Sequence, residues 1–259
     1  MNRSMTGIPE LDEMLRGGFM TGDAVMLAGS AGTGKTTLAL EYLVKGATSL
    51  NEPGIYLTFE QMPDQIYRDA ASFGWDLKKL EAENKFRLIC TSPNILAEEE
   101  GAEALLAQPM KEISARRIVV DSVSHLSMYV PDADLRKEVF RLIRGFKMKR
   151  LTPILLWESP QVIGGQMAIT DVGMSFLVDS IVLLKFVEIE SSLRRGLVIM
   201  KMRGSDHDKR LREYEITPQG FKVRASFGAY EGLMTGTPRK STPAENFATA
   251  FAAAARKER

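Results

Sequence analysis

The sequence predicts an α/β domain with a mostly parallel central sheet flanked by helices. Short apolar segments alternate with stretches of helical periodicity up to Trp157, and a glycine-rich loop joins the first long apolar segment to a helix. Apolar segments without polar alternation are typical of strands buried on both faces, as in parallel sheets. After residue 176 the pattern changes to consecutive strands, which we expect to extend the sheet with antiparallel strands.

The predicted elements follow one another in a regular order. The first strands are predicted at residues 24–28, 54–59, 86–90, 118–121 and 153–157, and the helices at 8–15, 35–46, 63–73, 101–113 and 134–149. Pro63 favours the first position of its helix, and Gly17 with Gly18 ends the first helix. The later strands are predicted at 178–187, 197–202, 212–216 and 221–224. Strands alternating with helices of this length indicate right-handed crossovers in one sheet.

The chain divides by composition into a domain at residues 1–235 and a tail at residues 236–259. In the tail, Thr242 and Glu245 have the spacing of a helix-capping box with a proline between them. Phe247 and Phe251 follow, one turn apart on an alanine-rich segment. The pattern is compatible with a docking helix or with a frayed extension, because a helix this short is marginal in isolation.

Composition limits the classes of function and the location. A net charge of +1 gives no support to a nucleic-acid binder, which needs a strongly basic surface. No apolar stretch approaches the roughly 20 residues that span a bilayer, so we expect no membrane span. The chain has one cysteine, Cys90, which cannot form an internal disulfide. We therefore expect a cytoplasmic protein, with Cys90 buried as a small apolar residue.

The glycine-rich loop predicts a binding site for ATP and Mg²⁺. It matches the pattern G-x-x-x-x-G-K-[ST] and lies between a buried strand and a helix, the context that this motif requires. Lys35 is expected to reach the outer phosphates and act in catalysis, and the Thr36 hydroxyl to bind Mg²⁺. The predicted nucleotide-binding residues are Gly29, Ser30, Ala31, Gly32, Thr33, Gly34, Lys35, Thr36 and Thr37.

Two carboxylates follow predicted strands. Asp121 ends an apolar strand, where a second carboxylate commonly helps to anchor the metal ion, although many buried strands end in aspartate. Glu60 ends another strand and has the chemistry of a general base for the attacking water. The pattern alone leaves Glu60 equally compatible with a solvated residue that begins the next turn.

Several sequence blocks in order resemble the KaiC family of RecA-superfamily ATPases. The resemblance covers residues 3–240 and implies a RecA-like P-loop fold. Familiar members carry two tandem copies and form a double-ringed hexamer, so one copy implies a homohexamer with a single ring. The blocks are residues 6–12 (TGIPELD), 29–36 (GSAGTGKT), 58–60 (TFE), 72–76 (SFGWD), 121–122 (DS), 201–205 (KMRGS) and 207–209 (HDK).

The resemblance assigns roles to several of these residues. It implies that Glu60 is the catalytic base, whereas Gln61 stands where members commonly have a second glutamate. Glutamine orients a water but cannot take its proton, so this departure puts the turnover rate in question. The resemblance also implies that Lys201 and Arg203 reach the γ-phosphate of a neighbouring subunit, with His207 near the same nucleotide. Cations alternating on a strand point to one face, which suits that role.

A further resemblance concerns phosphorylation. Residues 168–176 resemble a segment in which the family's second copy phosphorylates its own adjacent serine and threonine. Ser175 falls on the serine and is the candidate phosphosite, whereas Phe176 replaces the threonine. An ordinary loop serine is the alternative interpretation. For His125 we expect a structural role.

Three functions remain open at this stage. The first is a ring-forming signalling or clock-like ATPase with an unidentified partner protein. The second is a RecA-type DNA-dependent ATPase or recombinase, which needs a basic mobile loop, yet residues 159–173 contain no lysine or arginine. The third is a nucleotide-sensing scaffold with slow turnover, which Gln61 keeps open.

Overall fold

A computed structural model describes residues 2–98, 101–159, 173–228 and 230–240. The strands are β1 (Arg3–Ser4), β2 (Phe19–Met20), β3 (Val25–Gly29), β4 (Gly54–Thr58), β5 (Phe86–Cys90), β6 (Arg117–Asp121), β7 (Thr152–Glu158), β8 (Ser180–Ile189), β9 (Ser192–Met202), β10 (Arg212–Thr217), β11 (Gly220–Ser226), β12 (Tyr230–Glu231) and β13 (Arg239–Lys240). The helices are α1 (Pro9–Met14), α2 (Lys35–Ser49), α3 (Pro63–Ala71), α4 (Leu77–Ala82), α5 (Pro93–Ala97), α6 (Gly101–Glu112) and α7 (Asp132–Met148), with 3₁₀ helices at Val123–Met128 and Met174–Phe176.

One nine-stranded sheet organises the domain, in the order β11-β10-β9-β8-β3-β7-β6-β4-β5. Strands β8, β3, β7, β6, β4 and β5 are mutually parallel. Strands β9, β10 and β11 then continue the sheet in antiparallel pairs. The predicted mostly parallel sheet with an antiparallel extension is therefore confirmed. Because parallel strands end at one edge, the loops after β3, β4, β6 and β7 meet there.

The two faces of the sheet bury separate apolar clusters. Helices α1 to α4 cover one face, where Leu38 and Tyr42 of α2 pack among strand residues. Helices α5 to α7 cover the other face, with Val139 and Phe146 of α7 in the cluster. Every residue of β3 and of β4 is buried, as the continuous apolar runs predicted. Burying each such aliphatic side chain contributes about 1.5–3 kcal/mol before entropy is subtracted.

The buried environment predicted for Cys90 is wrong. The Cys90 side chain is exposed, because it ends β5, the strand at one edge of the sheet. Its Sγ lies 3.7 Å from the carbonyl oxygen of Gln61. An apolar neighbourhood in sequence does not report whether a strand is central or at an edge.

Some predictions fall outside the described residues. Residues 160–172 contain most of the segment where a DNA-dependent motor would need a basic loop. Residues 241–259 contain the predicted capping box and tail helix. Across the part of the chain that the structure describes, no helix is both long and apolar enough to cross a membrane.

Candidate active site

A cleft of about 380 Å³ opens at the carboxyl edge of the parallel strands. It lies where β3, β4, β6 and β7 end, so residues far apart in sequence meet there. Its lining residues are Ala31, Gly32, Gly34, Lys35, Thr36, Thr37, Thr58, Glu60, Gln61, Asp121, Glu158 and Ile216. The loop predicted to bind phosphates and both predicted carboxylates therefore share one cleft.

Hydrogen bonds within the glycine-rich loop and from β10 fix its conformation. The Thr33 hydroxyl donates to the Ser30 carbonyl oxygen at 2.7 Å, and the Tyr214 hydroxyl donates to the Thr33 carbonyl oxygen. Gly34 has a φ of +88°, and a Cβ there would lie 2.4 Å from Cδ1 of Ile216. The positive φ favours glycine at position 34, and a side chain there would also displace the end of Ile216. The loop leads directly into α2, whose N-terminus favours bound anions.

Lys35 begins α2 and lies within the cleft wall. Its Nζ donates to the Ser30 carbonyl oxygen at 3.0 Å, and the side chain is buried. Burial lowers the pKa of Lys35, and the nearby charges of Glu158 and Asp121 oppose that shift. Glu158 was missed at the sequence level. Its signal was the one used for Asp121, a carboxylate directly after an apolar strand.

Asp121 and Thr36 are paired as the metal-site prediction required. The Thr36 hydroxyl donates to Oδ2 of Asp121 at 2.9 Å, and the Tyr56 hydroxyl donates to the same oxygen. Burial raises the pKa of Asp121, while these hydrogen bonds and the charge of Lys35 oppose the shift. A hydroxyl beside a carboxylate is the donor set that Mg²⁺ takes alongside waters and phosphates. No cluster of three ionisable ligands occurs in the described parts of the chain.

Glu60 reaches into the cleft from the segment after β4. Its side chain is 69% exposed, and its Oε2 lies 3.4 Å from Nε2 of His125. Gln61 lines the same cleft. His125, for which only a structural role was expected, therefore contacts a predicted catalytic residue.

Lys201, Arg203 and His207 do not line this cleft. Lys201 pairs with Ile181 near the start of β8, which is the opposite edge of the sheet from the glycine-rich loop. Its Nζ donates to the carbonyl oxygens of Ser175 and Val178, both at 2.7 Å. In His207, Nδ1 is buried and has no hydrogen-bond partner within the described ranges.

Arg203 and Ser175 belong to the same edge as Lys201. Arg203 lies one residue after β9 and donates to the Phe176 carbonyl oxygen at 3.0 Å. Ser175 lies in the 3₁₀ helix Met174–Phe176 and is partly exposed. The two predicted cations and the candidate phosphosite are therefore close together, away from the cleft of their own chain.

A comparison with models of protein families matches residues 4–226 to the family described as "ATPase: KaiC". The chain belongs to the KaiC ATPase family. Membership confirms the resemblance seen in the sequence blocks and supports ATP binding and ATPase activity.

Curated KaiC relatives align along nearly the whole chain. The circadian clock protein KaiC3 of Synechocystis is 32% identical over 94% of this chain and 48% of the relative. The circadian clock oscillator protein KaiC of Thermosynechococcus vestitus is 33% identical over 92% of this chain and 45% of the relative. The chain spans about half the length of the KaiC relatives that it matches.

Proposed function

We propose that the chain is a Mg²⁺-dependent ATPase that cleaves the γ-phosphate in the cleft at the carboxyl edge of the sheet. The observation that carries the proposal is the convergence of Lys35, Thr36, Asp121 and Glu60, from separate segments, on one cleft. We place this activity in the cytoplasm.

The side chains of the cleft have separate roles in hydrolysis. The loop amides and Lys35 would hold the phosphates, and Thr36 with Asp121 would hold Mg²⁺. When bound, Mg²⁺ supplies positive charge that neutralises the phosphate oxygens. Glu60, which is exposed to solvent in the cleft, takes the proton of the attacking water.

The nucleotide site is completed by a second copy in a ring, most simply a homohexamer. Lys201 and Arg203 are cations at the opposite edge of the sheet from the cleft, and His207 follows them in sequence. In a ring that repeats one head-to-tail contact, that edge meets the cleft of the next subunit. Arg203 then stabilises the negative charge that develops on the γ-phosphate.

The cellular role that we propose is signalling or clock-like, through a partner protein not yet identified. The relatives are named as circadian clock proteins, which favours this role over a DNA-dependent motor. Gln61 favours a second candidate, a nucleotide-sensing scaffold with slow turnover, because a glutamine cannot accept the proton of the attacking water.

Ser175 is the candidate site of autophosphorylation. Its backbone carbonyl accepts a hydrogen bond from Lys201. In the proposed ring, Lys201 and Arg203 hold the γ-phosphate of a neighbouring subunit's nucleotide, which places Ser175 beside that phosphate. Phosphate on Ser175 would add up to about two negative charges beside two cations at the subunit boundary.

The test is incubation of the purified chain with γ-labelled ATP, with and without Mg²⁺. We expect Mg²⁺-dependent release of labelled phosphate, and no release in Mg²⁺ would contradict the proposed ATPase. Label on the protein that is lost in Ser175→Ala would support autophosphorylation. Label confined to free phosphate would support the ATPase activity and exclude Ser175 as an acceptor of the γ-phosphate.

A further inference from the structure

A row of polar groups runs behind the cleft and ends at Glu60. The backbone N–H of Glu158 donates to Oγ of Ser124 at 3.3 Å, and Oγ of Ser124 lies 2.6 Å from Oγ of Ser122. Oγ of Ser122 lies 2.8 Å from Nδ1 of His125. Nε2 of His125 lies 3.4 Å from Oε2 of Glu60.

One tautomer of His125 gives every proton in the row a single direction. A backbone N–H can only donate and an ionised carboxylate can only accept. If the neutral His125 ring carries its proton on Nε2, Nδ1 must accept from the Ser122 hydroxyl, and Ser124 is then the donor to Ser122. This tautomer places the Nε2–H beside Glu60, with 3.4 Å between Nε2 and Oε2. Each hydroxyl uses its single proton in the same direction.

We propose that His125 is a positioning residue that orients Glu60 for hydrolysis, held in the required tautomer by Ser122 and Ser124. The inference rests on the proposed role of Glu60 as the base. Within the described ranges, the 3.4 Å contact with His125 is the one polar contact of the Glu60 side chain, which is mostly exposed. A glutamate with three rotatable bonds samples many rotamers, so attraction to the nearby ring N–H raises the fraction in which its carboxylate faces the attacking water.

The experiment is a double-mutant cycle of ATP turnover on the full chain, with nucleotide affinity measured separately. We expect Glu60→Gln to lower kcat about 100-fold or more, as expected for loss of a general base. His125→Ala is expected to lower kcat about tenfold with ATP affinity unchanged, because the base is present but poorly placed. In the Glu60→Gln background, His125→Ala is expected to have no further effect.

Two further variants separate positioning from a loss of fold. His125→Gln should restore part of the lost turnover, because its amide N–H can reach Glu60. Ser127→Ala is the matched control: Ser127 is in the same 3₁₀ helix and donates to the Ser124 carbonyl oxygen, outside the row. It should keep normal turnover.

The outcomes distinguish this inference from the proposed function. If Glu60→Gln loses turnover while His125→Ala keeps it, the positioning role of His125 is wrong, whereas the proposed ATPase activity is unaffected. Equal additive losses in both backgrounds would also contradict it, because His125 would then act independently of Glu60. If the chain has no turnover, or Glu60→Gln keeps all of it, the role of Glu60 fails and this inference fails with it.

Discussion

Asp23 and Asp179 lie beside each other at the amino ends of β3 and β8, on the edge of the sheet opposite the cleft. Asp179 accepts the backbone N–H of Ala24 at 2.8 Å and pairs with Lys147 and Arg203. Asp23 has no ion pair with any residue that the structure describes, and burial and the charge of Asp179 raise its pKa from its usual 3.8 to about 6. Ionised Asp23 therefore weakens the folded state at neutral pH.

The pH dependence of stability follows from this shift. The folded chain binds a proton at Asp23 more tightly than the unfolded chain does, so this group's contribution to stability falls as pH rises from about 4 to about 6. Asp23→Asn should raise the free energy of unfolding at pH 7.5 by about 1 kcal/mol, a value reduced for solvent screening at this partly exposed site. Urea unfolding at pH 7.5 and at pH 4 measures it. A gain of the same size at both pH values would contradict the assignment.

At this scale the sequence predicted the residues that act through local patterns. The glycine-rich loop could be identified because its geometry is encoded in eight consecutive residues. Tyr56 and His125 could not, since each acquires its role from contacts with segments that are distant in sequence. No residue pattern near His125 indicates that its ring lies beside Glu60.

The β10–β11 hairpin forms a wall of the cleft, and a buried glutamate of α2 fixes its turn. Ile216 of β10 lines the cleft, and Tyr214 of the same strand holds the glycine-rich loop. Oε2 of Glu41 accepts the backbone N–H of Phe221 at 2.6 Å. Glu41 is buried, and burial raises its pKa. Glu41 therefore ties the hairpin turn to α2, beside the strand pairing and the Tyr214 contact that also hold the hairpin.

Removing that acceptor should weaken nucleotide binding more than turnover. Glu41→Ala leaves the Phe221 N–H without a partner, and we expect the KM for ATP to rise about tenfold with kcat little changed. Glu41→Gln keeps an acceptor oxygen of the same length and should stay within about threefold of the original KM. Steady-state kinetics over a range of ATP concentrations measures both. A fall in kcat at constant KM would show that the hairpin does not set nucleotide affinity.

Element prediction succeeded where periodicity was long and failed for short segments. The five predicted strands of the first part and the long helices α2, α6 and α7 are present. Helices α4 and α5 were missed because six and five residues carry little periodicity, whereas α1, which is equally short, was predicted with the help of the Gly17 and Gly18 stop that follows it. Asp76, which caps α4 by accepting the Lys79 N–H at 2.9 Å, was the available local signal.

At the scale of the whole molecule, the sheet separates the cleft from Lys201 and Arg203. The cleft lies at the carboxyl edge of the parallel strands, and these cations lie near the start of β8 at the amino edge. One chain therefore cannot bring them to its own nucleotide without rearranging the sheet. The sequence resemblance implied that these cations act on a neighbouring subunit's nucleotide, whereas periodicity and spacing carry no information on assembly.

The most direct test of the account mixes two inactive variants, Glu60→Gln and Arg203→Ala. Each alone should bind ATP with low turnover. In an equimolar mixture, about one site in four combines an intact Glu60 with an intact Arg203 from the next subunit, so turnover should recover to about a quarter of the original. A mixture no more active than the average of its components, or full turnover by Glu60→Gln alone, would contradict the proposed site.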